Sequence, residues 1–162
     1  MTEERLKDGF LEALSIPHEN REALLDDIRL VMEDIGNCTA VNAKIEETTR
    51  EMEVIAGLIQ KAIEDNAARA QDQEEYNRRY DELADRYEKL KKKLEKHEQE
   101  RDDREYKSNV LSGFLFEMKE LEYLDTEFKN SRCIAMLDHV TIYADGRMVY
   151  SFLNGSDITV MV

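Results

Sequence analysis

Two stretches of this sequence share one spacing: residues 41–62 read VNAKIEETTREMEVIAGLIQKA, and residues 76–97 read YNRRYDELADRYEKLKKKLEKH. In both, apolar side chains recur alternately four and three residues apart. Because this averages about 3.5 residues, close to the helical period of about 3.6, these side chains fall along one seam of a helix. The predicted seam positions are Val41, Ile45, Met52, Ile55, Ile59, Tyr80, Leu83, Tyr87, Leu90 and Leu94.

The segment between the two stretches, residues 66–73, reads NAARAQDQ and contains no large apolar side chain. Two heptad helices joined by a short polar segment are typical of an antiparallel helical hairpin. Such a hairpin suits reaching and gripping a partner better than it suits chemistry. We therefore expect an antiparallel coiled-coil arm over residues 39–105, with its tip near residues 66–73.

Residues 1–38 are predicted to form two short base helices. The first ends near Pro17, because the residue before a proline avoids helical angles. Asn20 is a suitable N-cap for the second helix, which we expect to close at Gly36. The apolar positions expected to face the core from this second helix are Leu24, Leu25, Ile28, Val31, Met32 and Ile35.

Residues 106–162 are predicted to complete the base. Helical spacing resumes at Val110, and a further short helix, capped by Asp125 or Thr126, is expected to include Phe128 and Leu137. These helices supply a wider apolar stripe than a two-helix seam requires, which is typical of packing into a globular body.

The period of the apolar residues then changes from 3.6 to 2, which predicts strands. Asp145-Gly146 and Asn154-Gly155 separate three alternating runs. These dipeptides tolerate the positive φ angles of type I′ turns, so a three-stranded antiparallel meander is expected. The predicted fold class is α+β and mainly helical: a long antiparallel coiled-coil hairpin projects from a small base of short helices and this sheet.

The charge balance constrains the partners of the chain. The 162 residues carry a formal net charge of −14, and 37% are charged, against roughly 25% in an ordinary globular chain. An acidic chain is poorly suited to be the main nucleic-acid-binding surface, because phosphate binding requires a clustered basic face. The densest basic cluster is Lys89, Lys91, Lys92, Lys93 and Lys96. Interspersed glutamates favour a solvated helix face there, and nucleic-acid binding stays open as a third hypothesis.

No residue pattern predicts catalysis or a bound metal or cofactor. Cys38 and Cys133 stand alone, and His18, His97 and His139 have no partner at a metal or acid-base spacing. The spacing leaves a disulfide open, but the sequence has no signal peptide, so two reduced core thiols are favoured. No apolar run is long enough to span a bilayer, which predicts a cytoplasmic protein without a membrane partner.

Three segments resemble the large serine recombinases, the integrases of phages and conjugative transposons. NAARAQDQEEYNRRY, residues 66–80, looks like their hairpin segment, and LDHVTIYADGR, residues 137–147, is similar to the strand pair that closes them. TEERLKDGFLEAL, residues 2–14, resembles the helix that follows their zinc ribbon. The resemblance extends over nearly the whole chain, although its middle is generic coiled coil.

The resemblance implies that this chain is the carboxy-terminal piece of a larger recombinase. The family's serine-nucleophile domain, its DNA-binding recombinase domain and its zinc ribbon do not occur in this sequence. Cys38 and Cys133 do not match the ribbon's ligands, so zinc is expected only upstream. DNA would be bound only through the full-length protein.

The family also implies a role. Its hairpin is a mobile arm whose tip contacts the coiled-coil arm of a neighbouring subunit, which supports synapsis and opposes the reverse reaction until a recombination directionality factor intervenes. The contact residues implied here are Asn66, Arg69, Gln71, Asp72, Gln73 and Tyr76. The alternative is a free-standing coiled-coil adaptor that dimerises through the two seams.

Overall fold

The computed structural model describes residues 2–15, 21–68, 72–121 and 127–161. It confirms a mainly helical α+β protein with a three-stranded antiparallel sheet. The elements are α1 Glu3–Ser15, α2 Arg21–Gly36, α3 Thr39–Ala68, α4 Gln73–Glu120, α5 Asn130–Met136, β1 Leu137–Ile142, β2 Arg147–Phe152 and β3 Asp157–Met161.

The chain divides into two compact units. The hairpin unit comprises Asn37–Arg104, which holds α3 and the first part of α4. The sheet unit comprises Met1–Gly36 and Glu105–Val162, which hold the remaining elements and the last part of α4.

In the hairpin unit, α3 buries one stripe. Val41 and Ile55 are 3% and 2% exposed, and Thr48 is fully buried between them. The Thr48 hydroxyl donates to the carbonyl of Lys44 at 2.7 Å. Its polar group is therefore hydrogen-bonded within its own helix, which allows it to be buried in the apolar seam. Because the unit contains only α3 and the start of α4, this stripe must pack on α4.

The second helix of the hairpin, α4, is longer than the sequence predicts. The sequence predicts an arm helix that ends near residue 105 and a separate helix that begins near Val110, but α4 is continuous over 48 residues, or about 72 Å. The charged stretch between them remains helical because neighbouring turns bond to each other: Gln99 Nε2 donates to Asp103 Oδ1 at 2.8 Å. Residues 73–112 also lack glycine and proline, the residues that most often end a helix.

The sheet has the order β1-β2-β3 with both pairs antiparallel. Met148, Tyr150 and Phe152 alternate on its inner face and are buried. Phe10 of α1 covers them, with ring centroids 6.2 Å from Phe152 and 5.7 Å from Phe128. Aromatic rings from helix and sheet therefore meet in one core.

Tyr150 and Gly9 set how closely α1 approaches the sheet. The Tyr150 hydroxyl donates to the carbonyl of Leu6 at 2.9 Å. A Cβ at Gly9 would collide with that hydroxyl oxygen and lie 2.8 Å from the Met148 Cε. Burial, reinforced by the nearby Cys133, Glu12 and Asp8, raises the pKa of Tyr150 to about 12. The missing side chain of Gly9 therefore makes room for a buried phenol.

The turns between the strands differ from the predicted type I′. In the described residues, positive φ occurs only at glycine, 90° at Gly146 and 86° at Gly155, whereas type I′ needs positive φ at both central residues. Gly146 N–H donates to the carbonyl of Tyr143 at 3.1 Å, and Gly155 repeats this bond to Phe152 at 2.8 Å. Both turns are therefore type I turns followed by a left-handed glycine.

The two turns are held in the same way. Asp145 Oδ1 accepts the N–H of Arg147 at 3.1 Å, and Asn154 Oδ1 accepts that of Ser156 at 3.1 Å. Arg147 bonds to Asp145 through its side chain and its N–H, and both bonds lower the pKa of this carboxyl. Side chains that bond their own backbone two residues on favour turns.

The structure corrects both predicted ends of the short helix before the sheet, and several predicted helix caps lie outside the described residues. The short helix α5 begins at Asn130 after Lys129, so Phe128 precedes it, and Leu137 already begins β1. The predicted caps Asn20, Asp125 and Thr126, the terminator Pro17, and His18 lie outside the described residues. Cys38 and Cys133 are free, half-buried thiols, and burial raises the pKa of Cys133.

Candidate functional site

A side-chain hydrogen bond joins α3 and α4 near the tip of the hairpin. Gln73 Nε2, at the first residue of α4, donates to Asn66 Oδ1, near the end of α3, at 3.2 Å. Counting seven residues away from this pair along each helix places Ile59 opposite Tyr80. Nearer the tip, Ala62 of α3 and Tyr76 of α4 line the same depression.

Asp72 starts the second helix. Its Oδ1 accepts the N–H of Glu74 at 2.9 Å, and its carbonyl accepts the N–H of Tyr76 at 3.0 Å. An aspartate in this position satisfies amide groups that a helix start otherwise leaves unpaired. Glu74 and Glu75 then lie in the first turn, where the helix dipole favours negative charge.

A shallow depression of about 240 Å³ lies between the helices at this end. It is lined by Ala62, Asp65, Asp72, Glu75, Tyr76 and Arg79. Three carboxylates and one guanidinium surround an aromatic ring, so the depression can accept a cationic side chain from outside. The carboxylates are exposed, and exposed ion pairs contribute only about 0–1 kcal/mol each. Chemically, this is a surface for weak, charge-selective contact.

Four of the six predicted tip residues are brought together here. Asn66 and Gln73 bond to each other, and Asp72 and Tyr76 line the depression. Arg69 and Gln71 lie outside the described residues.

Sequence reasoning missed Asp65, Glu75 and Arg79 as lining residues. A signal was available, since Asp65 is three residues from the seam position Ala62, and Arg79 is three from Tyr76. On a helix such neighbours share a face. The register that brings the two faces together appears only once the Asn66–Gln73 bond is known.

The predicted seam positions all have reduced exposure. Val41 and Ile55 are buried; the half-buried ones are Ile45, Met52, Ile59, Tyr80, Leu83, Tyr87, Leu90 and Leu94. The Tyr76 and Tyr80 rings lie 6.1 Å apart between centroids. Both rings are half-buried, and Tyr76 also lines the depression.

His97 extends the seam of α4. Both of its ring nitrogens are buried and accept or donate no hydrogen bond within the described part of the chain. By contrast, the five lysines from Lys89 to Lys96 are exposed. This cluster has the character of a solvated helix face.

Comparison with known proteins identifies no relative: neither family models, nor curated proteins, nor solved structures match this chain. Across residues 2–15, 21–68, 72–121 and 127–161, no three His, Cys, Asp or Glu side chains are grouped so that they could hold a metal ion. Among the helices described, none has both the length and the apolar character needed to cross a membrane.

Proposed function

We propose that this chain is the non-catalytic coiled-coil arm region of a site-specific DNA recombinase of the large serine class. Its role is to mediate subunit–subunit contacts in synapsis and to control the direction of recombination. The observation that carries the proposal is the polar tip, where the Asn66–Gln73 bond closes the hairpin beside a charged depression. The segment resemblance over residues 66–80 supplies the class of enzyme.

The burial pattern supports the hypothesis of an intramolecular arm more than the hypothesis of a seam that dimerises with another chain. Ile55 is 2% exposed and Thr48 is fully buried within the single chain, so the first ladder is already occupied by α4. A seam that is filled within one chain is not free to pair with another. The alternative, a free-standing adaptor that dimerises through both ladders, would require the hairpin to open.

Arg79 gives the tip one group that can pair with the carboxylates of a second copy, although the three carboxylates of the depression outnumber it. The depression combines Asp65, Asp72 and Glu75 with Arg79. In a two-fold contact each surface meets itself, so the arginine of one arm can lie against the carboxylates of the other. Such pairs are individually weak, which suits an association that must be reversed and that gains strength when DNA holds the subunits together.

The proposed partners are therefore the arm of another recombinase subunit and a directionality factor, with DNA bound only through the full-length protein. The proposed location is the cytoplasm, and no cofactor is assigned to this chain. The catalytic serine and the zinc ribbon would belong to upstream domains.

Charge reversal at the tip tests the proposal in the full-length enzyme. We expect Asp65→Lys with Glu75→Lys to reduce synapsis of two attachment sites about tenfold, since each change removes carboxylates from the depression. Glu46→Lys with Glu47→Lys is the matched control, because both are exposed glutamates of α3 outside the depression. Equal synapsis by both variants, or an upstream reading frame without a serine-recombinase domain, would remove the proposal.

A further inference from the structure

The sheet unit contains a second surface that the arm does not involve. A groove of about 250 Å³ lies between α2, α4 and the turn that joins β2 to β3. Its lining is mainly apolar and consists of Leu24, Asp27, Ile28, Val31, Leu111, Asn154, Gly155 and Ser156. We propose that this groove docks a basic amphipathic helix of a partner protein, with an apolar side chain of that helix inserted between α2 and the turn.

The size of the groove fits an apolar anchor. A dry cavity of about 150 Å³ lined by aliphatic side chains holds a benzene ring, so this groove accommodates a leucine or phenylalanine side chain with room to spare. Helical ligands characteristically insert such anchors into an apolar groove at spacings of three and four residues.

The helix α2 presents an apolar residue that the core does not use. Leu24, Ile28 and Val31 follow helical spacing, and the sequence assigns all three to the core. Ile28 is 5% exposed, but Val31 is 48% exposed. The stripe of α2 therefore continues past the core onto the surface, and its outer end forms one wall of the groove.

The opposite wall is a well-defined turn. Asn154 Oδ1 accepts hydrogen bonds from the N–H of Ser156 at 3.1 Å and from its hydroxyl at 2.7 Å. Gly155 has no heavy atom within 4 Å of the position of a Cβ, so the turn leaves open space towards the solvent. A preformed wall lowers the ordering cost of binding.

Charge identifies the class of occupant. Asp27 lines the groove, and the described residues offer it no ion-pair partner, whereas neighbouring Asp26 is paired with Arg29 at 2.6 Å. Asp34 lies three residues beyond Val31 and seven beyond Asp27, on the same face of α2, and is exposed. Two exposed aspartates on the α2 side of an apolar groove are complementary to a helix with lysine or arginine beside its apolar anchor.

The same charge disfavours a second copy as the occupant. Each chain carries a formal net charge of −14, and Asp27 and Asp34 flank the groove, so two copies of this face would repel each other. This inference does not depend on the recombinase proposal, because it rests on residues of the sheet unit alone.

The test uses a synthetic amphipathic helix peptide with leucines at positions i, i+4 and i+7 and lysines on the flanks. A peptide of identical composition in scrambled order controls for charge. We expect the ordered peptide to bind the full chain in fluorescence anisotropy about tenfold more tightly than the scrambled one, and binding to weaken as salt is raised.

Two neighbouring residues supply matched variants. Val31→Lys places a cation in the groove and should weaken binding about tenfold or more. Leu30→Lys adds the same charge next to it, at a residue that is 65% exposed and does not line the groove, and should leave affinity within about twofold. Both sites are exposed, so folding is retained, and circular dichroism verifies it.

Three outcomes would overturn the proposal. The first is equal binding of the ordered and scrambled peptides, or none at all. The second is equal loss of affinity in the Leu30 and Val31 variants. The third is a concentration-dependent increase in mass by light scattering that Val31→Lys abolishes, because this would make a second copy the occupant.

Discussion

Gln73 and Asn66 are joined by a hydrogen bond of 3.2 Å between side chains at the two ends of the hairpin turn. This contact is consistent with the register in which the two apolar ladders meet, since Ile59 and Tyr80 are both seven residues away from it. Pairing Asn66 with the next residue of α4 instead would rotate that helix by about 100° and move its apolar stripe off the seam. The register of the seam and the shape of the tip therefore depend on each other.

Stability of the hairpin unit should depend on the seam and not on apolar residues in general. Ile55→Ala removes a side chain that is 2% exposed and should lower the free energy of unfolding by about 2–5 kcal/mol. Val54→Ala, one position away, affects a side chain that is 63% exposed and should change it by less than about 0.5 kcal/mol. Urea unfolding followed by circular dichroism measures both. Equal effects would show that the seam is not buried.

The buried threonine of the seam should be replaceable. Thr48 is fully buried, and its hydroxyl bonds only within its own helix. Thr48→Val keeps the shape and removes a polar group, so we expect the free energy of unfolding to stay the same or to rise by up to about 1 kcal/mol. Thr48→Ala, which leaves a gap, should lower it. A loss with valine as large as with alanine would contradict this account of the hydroxyl.

Replacing Gly9 by alanine should destabilise the protein, although alanine in place of glycine usually stabilises a helix. Gly9→Ala places a Cβ against the Tyr150 hydroxyl and the Met148 Cε, so we expect destabilisation by about 1–3 kcal/mol. Gly113→Ala in α4 is the control, since no heavy atom lies within 4 Å of its added Cβ. That variant should stabilise the protein by about 0.5–1 kcal/mol through helix propensity. Calorimetric melting temperatures that move in the same direction would refute the close approach of α1 to the sheet.

Alkaline pH should weaken the sheet unit through Tyr150. Its pKa is raised from the ordinary 10.0 to about 12, so between these values the unfolded chain ionises while the folded chain stays neutral. The contribution of Tyr150 to the free energy of unfolding is fully present below about pH 10 and is lost as the pH rises towards 12. It amounts to about 2–3 kcal/mol for a shift of this size.

Comparison with Tyr150→Phe isolates this group from the other tyrosines. The variant loses the bond to the Leu6 carbonyl, at a cost of about 1 kcal/mol, but its free energy of unfolding should decline less steeply above about pH 10. Urea unfolding at a series of pH values measures the difference. Parallel pH profiles for the two proteins would exclude a buried, neutral Tyr150.

The pattern of apolar residues predicted the elements better than their ends or their details. The 4-3 spacing of the seam and the alternation of the strands can be read from the order of apolar and polar residues. The sequence therefore predicts the seam stripe and the strands around Tyr150. The continuity of α4 was missed because charged residues near Gln99 resemble a linker, although they bond one turn apart.

Other features depend on distant partners and leave no local pattern. Gly9 is explained by Tyr150 and Met148, which lie far along the chain. Arg132 is 2% exposed and forms an ion pair of 3.4 Å with Glu117, a pairing that spacing along one helix does not indicate. The tip depression likewise needs the register of two helices before its carboxylates can be placed together.

Site-specific crosslinking in the full-length protein, assembled on DNA, tests the proposed role of the tip most directly. A photo-crosslinking amino acid is placed at Glu74, an exposed residue beside the tip depression, or at Glu46, an exposed control on the same hairpin unit. With two attachment sites bound, we predict a covalent dimer of subunits from the Glu74 position and little from Glu46. Equal crosslinking from both positions, or none from Glu74 in complexes that recombine normally, would contradict a role of the tip in contacts between subunits.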